Sequence, residues 1–245
     1  MITLLVERMH LSRQNLGRGL WLAAFDGGDE EAVRALLEAG AGIDDVPRLL
    51  ASPCFGHQPD DDAGVEAVIE VLLDAGLDPN DEDEHGFRPL LTALGPDTFG
   101  PGYQESDGCN RPAALALIRR GADVNIRYPD TEIASLEGVN ASGFTPLHLA
   151  ARVGDPVLIR ALLDAGADPS ARTPDGRTAF DLAVGALETY TGPGATPPEV
   201  PPEGAPIGKL GSAAEERQRW DRFAADAAAA VDLLAPAFRD ERGQA

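Results

Sequence analysis

Gly143-Phe144-Thr145-Pro146-Leu147-His148-Leu149-Ala150-Ala151 is the stretch from which the rest of the chain can be read. Thr145 is the kind of residue whose side-chain oxygen caps a helix N-terminus, and Pro146 suits the first helical turn. The pattern returns 33 residues later as Gly176-Arg177-Thr178-Ala179-Phe180-Asp181-Leu182-Ala183, with a weaker copy at Gly86-Phe87-Arg88-Pro89-Leu90-Leu91. A second marker closes helices rather than opening them. Leu36-Leu37-Glu38-Ala39-Gly40, Leu72-Leu73-Asp74-Ala75-Gly76, Leu117-Ile118-Arg119-Arg120-Gly121 and Leu162-Leu163-Asp164-Ala165-Gly166 are apolar helix ends followed by glycine. Glycine just past a helix adopts the left-handed backbone without Cβ strain.

Opening and closing markers at fixed offset, repeated with a period near 33, are the signature of a repeat architecture. Thr145-Pro146-Leu147-His148-Leu149-Ala150, followed by Leu162-Leu163-x-x-Gly166-Ala167-Asp168, resembles the ankyrin-repeat family. Residues 143–175 are an almost complete match, and the resemblance extends over roughly residues 16–187. It implies an all-α fold: an ankyrin-repeat solenoid of about five helix-turn-helix units with hairpin fingers and irregular insertions. It further implies that Thr145, Pro146, Leu147, His148, Gly166 and Gly176 form a structural motif, His148 tying neighbouring turns by hydrogen bonding. First helices and fingers would line a groove of the kind in which this family generally binds protein partners.

The chain is expected to be one array over residues 1–245, with units near 16–45, 46–80, 81–125, 126–170 and 171–240. First helices are expected to begin near Leu16, Pro47, Arg88, Thr145 and Thr178, and second helices to fall near 30–39, 64–75, 111–120, 156–165 and 213–235. The closing glycines are spaced by 36, 45 and 45 residues, so two steps each hold about 12 extra residues. In the third unit the extra residues lie between the helices, around 95–110; in the next step they lie in the finger, 127–142. A Pro/Gly-rich insertion follows at 191–211, where no helical period survives. Ser212-x-x-Glu215 then reads as a capping box opening a capping helix, 212–236, with Trp220, Phe223, Ala227, Val231 and Leu234 on its apolar side and Pro236 as its end.

Charge narrows the function. With 41 acidic and 20 basic residues the net charge is -21, which repels phosphate backbones and anionic membrane surfaces. Nucleic acid and membrane are therefore not expected partners, whereas a basic protein is compatible. Two cysteines, Cys54 and Cys109, are too few for a disulfide framework, and the apolar N-terminal stretch is too short for a signal segment. A cytoplasmic protein is therefore expected, and the free chain is expected to be a monomer.

Motifs for chemistry are missing. The four histidines, His10, His57, His85 and His148, form no HExxH or HxxxH pair. Cys54-x-x-His57 lacks a second pair of ligands. Asp78-x-Asn80-x-Glu82-x-Glu84 resembles a calcium loop only faintly, because Asp83 stands where glycine is needed. No catalytic residue, metal site or cofactor is therefore assigned, and an enzyme or metal-dependent factor finds no support in the motifs.

Two segments are candidates for partner contact. From Asp60 to Glu84 eleven acidic residues occur with no Lys or Arg between them, and Asp81, Glu82, Asp83 and Glu84 would occupy a finger tip. They read either as a surface that captures a basic partner or as a solvated edge. The long finger carries Arg127, Tyr128, Ile133 and Leu136, residue types suited to an interface. Two functions fit: a non-enzymatic protein-interaction module, or an inhibitor or immunity-type protein that neutralises a basic effector such as a nuclease.

Overall fold

The computed structural model describes residues 13–25, 29–43, 49–51, 62–83, 86, 88–95, 110–130, 135–136, 139–195 and 213–243. The helices are α1 (Arg13–Phe25), α2 (Glu30–Glu38), α3 (Asp62–Asp74), α4 (Pro89–Leu94), α5 (Arg111–Arg119), α6 (Pro146–Val153), α7 (Pro156–Asp164), α8 (Ala179–Thr191) and α9 (Ala213–Gly243). A single 3₁₀ turn spans Leu49–Ala51. The described strands are two residues each, β1 (Ser135–Leu136) and β2 (Val139–Asn140), paired antiparallel with Leu136 opposite Val139. The fold is thus helical, and the small β-hairpin lies within the long finger. The chain divides into two compact units, 1–146 and 147–245.

Four helices end in the same way. After α2 the Gly40 N–H donates to the Leu37 carbonyl and the Ala41 N–H to Leu36; Gly76 and Leu77, Gly121 and Ala122, and Gly166 and Ala167 repeat both bonds behind α3, α5 and α7. This is the Schellman closure, which satisfies carbonyls that a helix end leaves orphaned. It requires a positive φ at the glycine, which is +87° at Gly121 and +90° at Gly166. Helix starts are equally regular. Asp29, Asn110 and Asp155 cap α2, α5 and α7 with their side chains. Thr178 and Asp181 form a reciprocal capping box at α8.

In the first unit α1 packs on α2, α2 on α3, α3 on α5 and α4 on α5, while the 3₁₀ turn touches α1, α3 and α4. The core is aliphatic: Leu20, Val33, Leu49, Val68, Ile69, Leu72, Leu90, Leu94 and Leu117 are all essentially inaccessible. The helix expected from Pro47 is only this 3₁₀ turn among the described residues. Leu49 and Leu50 are nevertheless buried and fill the place of a first helix in the layer.

In the second unit α9 packs on α7 and α8. Phe180, near the start of α8, stacks on Phe238 near the end of α9, with centroids 4.5 Å apart; Tyr190, near the end of α8, meets Trp220 and Phe223 near the start of α9. The two helices therefore run antiparallel, as a first and second helix should. Ala227, Ala230 and Leu234 form the buried line of α9, so Ala230 rather than Val231 faces the core. The expected end at Pro236 is wrong: α9 continues to Gly243 with Pro236 inside it. Proline removes one helical hydrogen bond, and the Phe180–Phe238 stack supplies a tertiary contact beyond it. Ser212, the expected cap, lies outside the described residues, as does the Glu215 side chain.

Candidate protein-docking surface

Counting from the glycine that closes each second helix aligns the fingers. The second position is Asp78, Asp123 or Asp168, and the fourth is Asn80, Asn125 or Ser170. In each finger the aspartate Oδ1 accepts from the backbone N–H two residues on, at 2.8 to 2.9 Å. Such Asx turns fix the backbone leaving the helix. Asn80 reaches further: its Nδ2 donates to the Gly121 carbonyl at 3.3 Å, and its Oδ1 accepts from Asp123 N–H at 2.7 Å. One asparagine thereby clamps two consecutive fingers of the first unit together. The sequence pattern marks this position as polar but does not show that it bridges repeats.

The sixth and seventh positions close the finger. Asp83, Tyr128 and Thr173 are seventh, and their carbonyls accept from Gly86, Gly143 and Gly176 at 3.0, 2.9 and 2.8 Å. In the finger after α7 three positions separate these partners, and in the long finger fifteen, so the insertion sits inside an otherwise unchanged closure. Tyr128 N–H donates to the Phe144 carbonyl at 2.7 Å, as Thr173 N–H does to Arg177 at 2.9 Å. At the sixth position Arg127 donates to the Gly143 carbonyl at 2.7 Å and Arg172 to the Gly176 carbonyl at 3.0 Å. Glu82 holds that place in the earlier finger and faces Arg88 instead, at 3.4 Å.

The residues singled out for partner contact therefore separate. Asp81 and Glu82 are exposed. Asp83 is half-buried, because it belongs to the finger base. Arg127 is exposed but bound to the finger's own backbone. Tyr128 is only 4% exposed, so its ring is a packing element of the finger, not a surface offered to a partner. Its hydroxyl lies beside Gly95, where an added Cβ would come within 3.6 Å of it. Glu84 and Ile133 lie outside the described residues; Leu136 contributes backbone to β1, and its side chain is outside them too. Thr145, Pro146, Leu147 and His148 are all buried, and Gly166 and Gly176 take positive φ.

The acidic run looks different in three dimensions. Glu66, Glu70 and Asp74 stand on α3 facing Arg119 and Arg120 at the end of α5. Arg119 bonds Glu66 at 2.6 Å, Arg120 bonds Asp74 at 2.8 Å, and Arg120 also bonds Glu70. Asp74, then Glu70, hold the Arg120 guanidinium above its ordinary range by accepting its hydrogen bonds. Arg88 lies between Glu82 and Asp123, 3.7 Å from the latter. Asp81, Glu82 and Asp123 form an exposed acidic edge on two clamped fingers, with Arg88 set between Glu82 and Asp123. The faint calcium loop is taken up in the same way: Asp78 serves its turn, Asn80 the next finger and Glu82 an arginine. Cys54 and His57 lie outside the described residues, and among those described no group of three His, Cys, Asp or Glu could hold a metal ion. No described helix is long and apolar enough to cross a membrane.

The protein-family model described as "Ankyrin repeats (many copies)" matches residues 117–183, which hold the Gly121 and Gly166 closures and both finger-base ladders. This chain carries ankyrin repeats over residues 117–183. It is similar to the BTB/POZ domain and ankyrin repeat-containing protein NBCL of Lotus japonicus, 35% identical over 91 residues, which is 37% of this chain and 17% of that protein. It is also similar to human Rabankyrin-5, 38% identical over 102 residues, 38% of this chain and 8% of that protein. The ankyrin-repeat chain thus spans less than a fifth of the length of these curated relatives. The repeats are of a kind that serves protein–protein interaction rather than catalysis, and a fold alone does not choose the partner.

Proposed function

We propose that this ankyrin-repeat chain is a non-enzymatic interaction module that binds a partner protein bearing a basic surface, through the fingers around 78–84 and 123–136. Asp81, Glu82, Asp83 and Glu84 supply the charge, and Ile133 and Leu136 are further candidate contacts on the long finger, which Arg127 and Tyr128 close. The observation that carries this reading is the clamp. Asn80 joins two fingers while Asp81, Glu82 and Asp123 stay on the outside of the joint. A preordered acidic edge loses little freedom on binding and accelerates encounter with a cationic partner. Glu66, Glu70 and Asp74 pair with Arg119 and Arg120 on the α3–α5 face, away from the finger edge, where Arg88 lies between Glu82 and Asp123 and Asp81 stays exposed. The division into about five units belongs to the same reading.

The test starts with affinity capture from native lysate, eluted by salt, to obtain a partner. Hydrogen exchange of the complex is then compared with that of the free chain. Protection is expected at 78–83 and 123–130. Protection confined to the outer face of α3 and α5 would overturn the assignment.

A further inference from the structure

Phe180 occupies in its repeat the place that Leu147 occupies in the one before, second after the threonine of the opening motif. Leu147 is 1% exposed, whereas Phe180 remains half-buried even with Phe238 stacked on it. The ring that covers Phe180 comes from the last turns of α9, beyond Pro236. Before that proline, α9 is seated firmly: Ala227, Ala230 and Leu234 are buried, Gly154 leaves room for close approach of Ala227, and Tyr190 holds Trp220 and Phe223. Beyond it, Ala237 and Phe238 are half-buried and Arg239 is exposed. Proline has no N–H for the carbonyl four residues earlier, here Asp232, and its ring crowds that turn, so hydrogen bonding is interrupted where burial falls away.

We infer that Pro236–Gly243 is a hinged strap that opens independently of the rest of α9 and so controls access to Phe180. Closed, it continues the helix and stacks Phe238 over the apolar Phe180. Open, it bares both Phe180 and Phe238 while 213–235 stays in place. The inference is independent of the acidic fingers and survives if that proposal fails.

Hydrogen exchange on the full chain, resolved by mass spectrometry, tests it. Amides of 237–243 are expected to exchange about tenfold or more faster than those of 227–234, as a locally opening segment must. Phe238→Ala should bring 237–243 close to the unprotected rate and leave 222–235 unchanged. Pro236→Ala, which restores the N–H and relieves the crowding, should slow exchange at 237–243 by about fivefold or more. If Phe238→Ala costs 222–235 its protection to the same degree, α9 is one cooperative element and there is no strap. If Phe238→Ala leaves 237–243 unaltered, or Pro236→Ala fails to slow it, the stack and hinge do not control the segment.

Discussion

Tyr128 shows how a residue's chemistry can mislead when its register is hidden. Tyrosine in a long polar finger reads as an interface contact. Counted from Gly121, however, it is the seventh residue, equivalent to buried Thr173, and it closes the finger through Gly143 and Phe144. The offset is legible in the sequence, but the 12 inserted residues separate Tyr128 from its partner and disguise it. Removing a buried aromatic ring leaves a cavity, so Tyr128→Ala should lower stability by about 3 kcal/mol in chemical denaturation. A change within experimental error would return Tyr128 to the surface. Gly154 is constrained twice: its φ is +77°, and an added Cβ would sit 3.2 Å from the Ala227 Cβ on α9. Left-handed backbone alone costs a non-glycine residue about 1–2 kcal/mol, so Gly154→Ala should destabilise by at least that much, read from the unfolding midpoint. A neutral substitution would show that α9 does not lie against this turn.

At the level of elements, starts and stops of helices were the most legible features, because caps and Schellman glycines are local chemistry. The second helices fall within two residues of their expected starts, and the first helices begin near Arg88, Thr145 and Thr178 as anticipated. What the sequence hides is long-range. Arg119 and Arg120 meet acids about fifty positions earlier, so a run free of basic residues in sequence is not free of them in space. Pro236 looked like a terminus because the stack between Phe238 and Phe180 cannot be seen in the local pattern. The finger after α7 offers a titration test. A hydrogen bond from the Thr173 hydroxyl, and then the Arg177 guanidinium, hold the Asp175 carboxyl below the usual carboxylate range. A depressed folded-state pKa contributes stability above the unfolded value, and that contribution disappears as pH falls through the folded one. In an NMR titration Thr173→Val and Arg177→Gln should each move Asp175 upward towards an ordinary carboxylate. A variant that leaves Asp175 where it was would show that its partner does not hold the carboxyl down.

Across the molecule, a chain of net charge -21 has far more acidic groups than its arginines can pair, yet pairing is not uniform. Arg119 and Arg120 pair with three acids on the α3–α5 face, while one arginine, Arg88, faces Glu82 and Asp123 on a pair of fingers joined through Asn80, and Asp81 stays exposed. Repeat architecture, helix ends and finger offsets could be argued from residues alone. Which arginines meet which acids of the run could not, since it depends on which helices and fingers stand side by side. Capture of a basic protein is proposed for the acidic finger edge at Asp81, Glu82 and Asp123. Its most direct test is the association rate of the captured partner with the double variant Asp81→Asn, Glu82→Gln, measured by stopped flow across salt concentrations. Both positions are exposed, so the fold should persist, and charge acting over a Debye length of about 8 Å at physiological ionic strength affects encounter more than dissociation. Association should be slower by about threefold or more at low salt, with a flatter salt dependence and a nearly unchanged dissociation rate. Wild-type association at low salt, or a partner whose contact surface is acidic, would contradict it.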